Sequence, residues 1–205
     1  MPRIDDYKQA RALAVEKLAA EPFAGIQERS GFESPDEGIF RIPFLGRTYF
    51  VRYPGFRFEV EGDPDGEVPL QEQVLILHYM MGDPQRKPTG NWIAYREIPG
   101  AAFYFGAFVK RAIAPLKHVF GHQVGGLSRP AESLGGKKIA EGDAGYEFLI
   151  FPHLPLRLIL WGGDEEFPPE AAILFDNNAG SLLSPEDAAW AASLLVYRLI
   201  GLSKS

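Results

Sequence analysis

Hydrophobic and polar positions alternate along this chain with a period that changes several times, and each change predicts an element. Asp5 and Asp6 stand where acids favour a helix N-terminus, and Ala10, Leu13, Ala14 and Leu18 recur at helical spacing toward Pro22. That spacing predicts a first helix over residues 3–20. From Gly38 the text reads GIFRIPFLGRTYFVRYPGFRFEV, aromatic and β-branched residues interrupted by Gly46 and by Pro54-Gly55. Two or three antiparallel strands follow from it. Pro69 then opens a helix at its first position, over 69–80, with Leu70, Val74, Leu77 and Tyr79 or Met81 inward and Gly82 as the stop. The string GDPQRKPTG, residues 82–90, reads as a loop.

Asn91 to Ile98 reads as a short strand or extended segment, and strand alternation would set Trp92, Ala94 and Arg96 on one face and Ile93, Tyr95 and Glu97 on the other. Residues 101–119 form an apolar helical stretch in which Pro115 predicts a kink or an early end. His122 to Gly136 reads as a glycine-rich connection. At the far end Ser184-Pro185-Glu186-Asp187 spells a helix start, a cap followed by proline and two acids. It predicts a last helix over 185–201 carrying Ala189, Trp190, Leu194, Leu195 and Leu199.

The segment from Tyr146 to Asn178 says most about topology. Phe148–Phe151 and Leu156–Trp161 are joined by Pro152-His153-Leu154-Pro155, a hairpin length and not a crossover length. The link from Gly162 to Glu170 is again short, so Ala171–Phe175 returns antiparallel and a β-meander results. Asp164, Glu165 and Glu166 then lie at one end of it, and His153, Asp176, Asn177 and Asn178 at the other, roughly 20 Å away. Carboxylates flanking one scissile bond stand within about 5 to 9.5 Å in glycosidases, so these two groups are not one acid/base pair. The fold class is α+β: an antiparallel or mixed sheet ending in a β-meander, covered by about four helices, as a single globular domain over 1–205.

Composition narrows the chemistry. The chain has 205 residues, 46% of them hydrophobic, with 22 Gly and 17 Pro, which favours many short elements over a helical bundle. Net charge is -6 and the basic residues are dispersed, so a phosphate-binding face for nucleic acid is not expected. The acidic run from Glu59 to Glu72 reads as a solvated loop. Cysteine is absent, which removes disulfides, thiolate catalysis and sulfur-held clusters or zinc; no cofactor held by the chain's own residues is expected. With no apolar leader and no run near the ~20 residues that span a bilayer, a cytoplasmic protein without membrane partners is expected.

Three constellations could carry function. The loop Trp161-Gly-Gly-Asp164-Glu165-Glu166-Phe167-Pro168 offers close backbone approach and three acids for a hard cation, a cationic ligand or a partner, although acidic turns of this kind are also common solvated surface. His153 with Asp176 and Asn178 could form a carboxylate-oriented imidazole, or could simply be a turn closing a strand. Trp92 and Arg96, with Pro99-Gly100, could hold an anionic ligand, or half of them could be ordinary sheet packing. No GxSxG elbow, Walker loop or HExxH stands in the chain. His118 and His122 share helical spacing, but Gly121 predicts that the helix is ending there.

The strings NWIAYREIPG, PHLPLRLIL and above all WGGDEEFPPEAAILFD resemble the prokaryotic family known as domain of unknown function 3786, over about residues 5–202. The resemblance implies anaerobic bacteria and archaea, and relatives some of which add a cysteine-rich iron-sulfur domain of the kind seen with corrinoid one-carbon chemistry. This chain lacks that domain, so any such cluster would belong to an iron-sulfur or corrinoid protein partner. Two readings stand side by side: a ligand- or partner-binding module linked to anaerobic redox, iron-sulfur or corrinoid one-carbon metabolism, and a small enzyme using acidic residues, with or without a divalent ion. Asp164 or Glu166 buried beside Arg96 or a His would favour the enzyme, and fully exposed carboxylates over a broad apolar patch the module.

Overall fold

A computed structural model describes residues 4–63, 65–83 and 87–204; the predicted start of the first helix at residue 3, part of the acidic run and the middle of the 82–90 loop lie outside the described residues. By internal contacts the chain sorts into two compact units. The first holds residues up to Lys87 together with Phe151–His153 and Ser181–Leu183, and the second holds the remainder.

The first unit begins with α1 (Ile4–Ala19) and α2 (Phe23–Ser30). α1 buries Ala14 and Leu18, whereas Leu13 is 51% exposed. The helix turns the stripe through Tyr7, Arg11, Ala14 and Leu18 inward, and Leu13 lies off it. α2 goes beyond the elements that hydrophobic periodicity predicts, and its end signals are local. Pro22 stands at its N-cap, and Gly31, at φ 70°, closes it in the left-handed conformation with its N–H on the Gln27 carbonyl.

Then come β1 (Ile39–Phe44), β2 (Arg47–Arg52) and β3 (Arg57–Val60), an antiparallel three-stranded sheet in that order. Leu45 and Gly46 both take positive φ in the first hairpin, the twist that a two-residue turn needs. α3 (Leu70–Met80) packs on α1, with Pro69 one position earlier than predicted, as its N-cap residue. Val74, Leu77 and Tyr79 are buried as expected. Glu72 is buried as well, and the Tyr49 hydroxyl donates to its Oε2 at 2.6 Å. Burial, then the neighbouring Glu72 carboxylate, push the Tyr49 phenol up to about 12. Tyr49→Phe is expected to lower unfolding free energy by about 2 kcal/mol, because it withdraws a donor from a buried carboxylate. Urea denaturation checks this, and an unchanged midpoint would mean that Glu72 is satisfied by other groups.

The second unit starts with β4 (Trp92–Ala94) and a 3-10 turn, Tyr95–Glu97. The expected strand through Ile98 therefore ends early: the Glu97 carboxylate accepts the Ala94 N–H at 2.7 Å and curls the chain. Arg96 accordingly leaves the face that it was predicted to share with Trp92. After a second 3-10 turn, Ala101–Tyr104, one continuous helical rod follows: α4 (Phe105–Phe108), a π-helical turn (Val109–Ile113) and α5 (Ala114–Phe120). Pro115 does not end the rod, which runs on to Phe120. Its ring would press on the carbonyl four residues back and it has no N–H to donate, and the widened turn just before it accommodates both.

Residues 122–136 are more ordered than predicted, with a 3-10 turn at Val124–Leu127 and α6 (Ser128–Ser133). Burial of Leu127, Pro130 and Ala131 outweighs the weak propensity of Gly125-Gly126. β5 (Lys137–Ile139), β6 (Ala144–Phe151), β7 (Leu154–Trp161) and β8 (Glu170–Asp176) complete a five-stranded sheet in the order β4-β8-β7-β6-β5. β6, β7 and β8 are the predicted meander, with β7 and β8 antiparallel from Leu156↔Phe175 to Trp161↔Glu170. α7 (Ala179–Leu182) and α8 (Pro185–Leu202) end the chain, the Ser184 hydroxyl accepting the Asp187 N–H as predicted. The architecture is α+β with antiparallel sheets.

On one face of the larger sheet Leu156, Leu158, Leu160, Ile173 and Phe175 are buried, and Phe175 meets Phe108 of the helical rod at 6.3 Å. The register sets Trp92, Leu174, Arg157 and Trp161 on the opposite face. No helix among the described residues is long and apolar enough to cross a membrane.

Candidate functional site

The acidic loop is turned on itself. Asp164 Oδ1 accepts the N–H groups of Glu166 and Phe167 at 2.9 and 2.8 Å, and the Asp164 N–H donates to the Phe167 carbonyl. Those backbone donors, Phe167 first, hold its carboxyl below the usual range. The Gly162 N–H donates to Asp143 Oδ2 and the Gly163 N–H to the Gly121 carbonyl, which fixes the loop to the end of α5. Asp164, Glu165 and Glu166 are all exposed, between Trp161 at 42% and Phe167 at 67% exposure. Asp164 is thus the keystone of its own turn. We expect Asp164→Ala to lower Tm and Glu166→Gln to leave it unchanged in a thermal melt; equal effects would mean that repulsion among the acids, and not the turn, governs the loop.

At the other end of the meander Asp176 is fully buried and saturated. It accepts the Thr89 N–H on both oxygens, the Thr89 hydroxyl at 3.0 Å, the Gly90 N–H at 2.7 Å and the Asn178 N–H at 3.0 Å. Burial pushes its carboxyl up, but the donors of Thr89, Asn178 and Gly90 outweigh that and hold it below the ordinary value. Such a group clasps the loop before β4 and is ill suited to take a proton. His153 belongs to the first unit, where its ring lies against Gly31 and its backbone N–H donates to the Tyr79 hydroxyl. Burial first, then the Lys87 charge, lower its imidazole pKa. Each partner of that proposed pair is therefore engaged within its own unit.

Trp92 and Arg96 part company at the 3-10 turn. Over the Trp92 ring, 4.2 Å from its centroid, sits Arg157, which also pairs with Glu141 and Glu147 at 2.8 and 3.0 Å. The Arg96 guanidinium lies 3.6 Å over the Phe105 ring. There it marks the mouth of a cavity of about 340 Å³, bounded by Phe105, Val109 and Ile113 of the rod and by Ala171–Leu174 of β8. Tyr95 backs this region, stacked on Phe108 at 4.3 Å with its hydroxyl donating to the Pro185 carbonyl. Burial, then Tyr104 and Glu186, push that phenol up to about 12. The π turn lines the cavity, and such turns recur at functional sites.

Sequence reasoning found Arg96 but none of the apolar walls. Phe105, Val109 and Ile113 read as core positions, and only the paired small residues Ala171-Ala172 signal room beside a strand. His118 and His122 do not share a helix, since α5 ends at Phe120. Among the described residues no group of three or more His, Asp or Glu is placed to hold a metal ion.

A two-unit α+β protein with an apolar cleft beside a sheet edge, a cation at its mouth and a self-capped acidic loop defines a class by shape, not by chemistry. The chain belongs to the family described as Domain of unknown function (DUF3786), whose profile matches residues 22–198. No curated protein and no solved structure matches it.

Proposed function

We propose that the chain is a non-catalytic binding module of the cytoplasm that docks a protein partner through the cleft beside β8, with no cofactor held by its own residues. The observation that carries this is the cleft itself: a concave apolar surface with one placed cation, of a volume at the lower end of the roughly 300 to 1,000 Å³ typical of ligand sites. Asp176 spends both carboxylate oxygens on donors of Thr89, Gly90 and Asn178, and Asp164 spends Oδ1 on the N–H groups of its own turn. The partner we propose is an iron-sulfur or corrinoid protein of anaerobic redox or one-carbon metabolism. The family likeness supports that class, and a chain without cysteine would draw on a partner for any such cluster.

A photo-crosslinking side chain placed at Val109 in cells tests the reading. We expect a single adduct with a redox or corrinoid protein, weakened by Arg96→Glu. An adduct formed from Phe167 and none from Val109 would move the site to the acidic loop.

A further inference from the structure

We propose that the occupant of the cleft is an extended peptide segment of the partner, added as a strand to the free edge of β8, with an acidic side chain set against Arg96. This rests on the cleft being the binding site, and it follows from a gap in the sheet. β4 pairs with β8 only from Trp92↔Asp176 to Ala94↔Leu174, after which the chain curls away. Ala171, Ala172 and Ile173 continue β8, and among the described residues no strand pairs with them on that side.

The direction of their backbone groups can be worked out. The Asn177 N–H donates to the Asn91 carbonyl, so odd-numbered residues of β8 address the β4 side. Alternation along an antiparallel strand then aims the N–H and C=O of Ile173 and Ala171 at the vacant edge, and those of Ala172 and Leu174 at β7. No hydrogen bond from the described residues reaches Ile173 or Ala171 on that side. An arene or a fatty acid would leave such groups unmet, whereas a peptide backbone satisfies them, as in strand-addition recognition.

The side chains around the edge agree. Ala171 and Ala172 carry single methyl groups, which leaves the volume beside them open, and Phe105, Val109 and Ile113 form an apolar wall for every second side chain of the incoming segment. Charge orients the occupant. At the Glu170 end Lys117 pairs with Glu170 at 3.4 Å, so that cation is compensated. At the Ala94 end Arg96 has no carboxylate partner among the described residues, and its position over Phe105 holds the guanidinium where an arriving acid meets it. Four strand residues at about 3.3 Å each span the edge, so the recognised segment is short.

The test uses the full chain and a fluorescein-labelled peptide, Asp-Val-Leu-Val-amide, followed by polarisation and by amide hydrogen exchange. We expect binding with Kd on the order of 0.1 mM, as befits a short peptide. Arg96→Glu should weaken it about tenfold, and N-methylation of alternate peptide amides should weaken it at least about tenfold. Exchange should slow at Ile173 and Ala171 while Ala172 and Leu174 stay as they were. Equal binding of the N-methylated peptide, or protection without the alternation, would overturn strand addition. So would a dimer of the chain that the peptide dissociates, since the edge would then belong to a second copy. If no peptide binds while the Val109 crosslink to a partner persists, strand addition fails and the docking cleft stands. If both fail, the cleft is not the site.

Discussion

Asp176→Ala should lower the unfolding free energy by about 3 kcal/mol, since it strips a buried carboxylate from Thr89, Gly90 and Asn178 and leaves their donors without an acceptor. Asp176→Asn keeps the volume and one acceptor oxygen but loses the charge and turns an NH2 toward backbone N–H groups, and should cost about 2 kcal/mol. The pH dependence has a definite sign. The folded-state pKa of Asp176 is depressed below the ordinary 3.8, so its contribution is complete above the unfolded value and is lost as pH falls through the folded one. In urea titrations the gap between wild type and Asp176→Asn should hold steady above about pH 5 and narrow on further acidification. A gap independent of pH would mean that shape, not charge, holds the clasp. A wild-type stability for both variants would restore Asp176 as a candidate general base.

The parts of this fold that the sequence discloses are those whose geometry is local. The meander was readable because Pro152-His153 and the loop after Trp161 are too short for any crossover, and α8 because Ser184, Pro185 and two acids act within one turn. What stayed hidden depends on tertiary burial or on a single side chain. Leu127, Pro130 and Ala131 hold a glycine-rich stretch in helical turns, and one carboxylate, Glu97, ends a strand that alternation would have continued.

That early end also decides the candidate site. It takes Arg96 from the face of Trp92, gives Trp92 to Arg157, and among the described residues leaves β8 with no paired strand on its β4 side beyond Leu174. Arg96 was visible as a cation in an aromatic segment. The cleft was not, because its walls come from the rod after residue 105 and from β8, far apart in sequence, and apolar residues at helical spacing read as core wherever they point.

Phe151→Ala should be the most damaging single truncation of an apolar side chain in the first unit. The ring is 1% exposed, stacked on Tyr79 at 4.3 Å and on Phe44 at 5.1 Å, with Phe32 edge-on at 6.2 Å. Removing it deletes the shared member of three aromatic contacts, and a loss of about 4 kcal/mol is expected from the transfer and cavity terms. Phe151 is also the last residue of β6, whose other residues belong to the second unit, and the chain passes from one unit to the other at five points along its length. Segments threaded in this way do not separate into two independently closed chains. We therefore expect the loss to appear in one transition. Tryptophan fluorescence reports the second unit alone, through Trp92, Trp161 and Trp190, whereas far-UV circular dichroism reports both. The two probes should shift together in urea for Phe151→Ala. If circular dichroism moved to lower denaturant while tryptophan fluorescence kept the wild-type midpoint, the first unit would be unfolding by itself, and the expectation of one cooperative domain would fall.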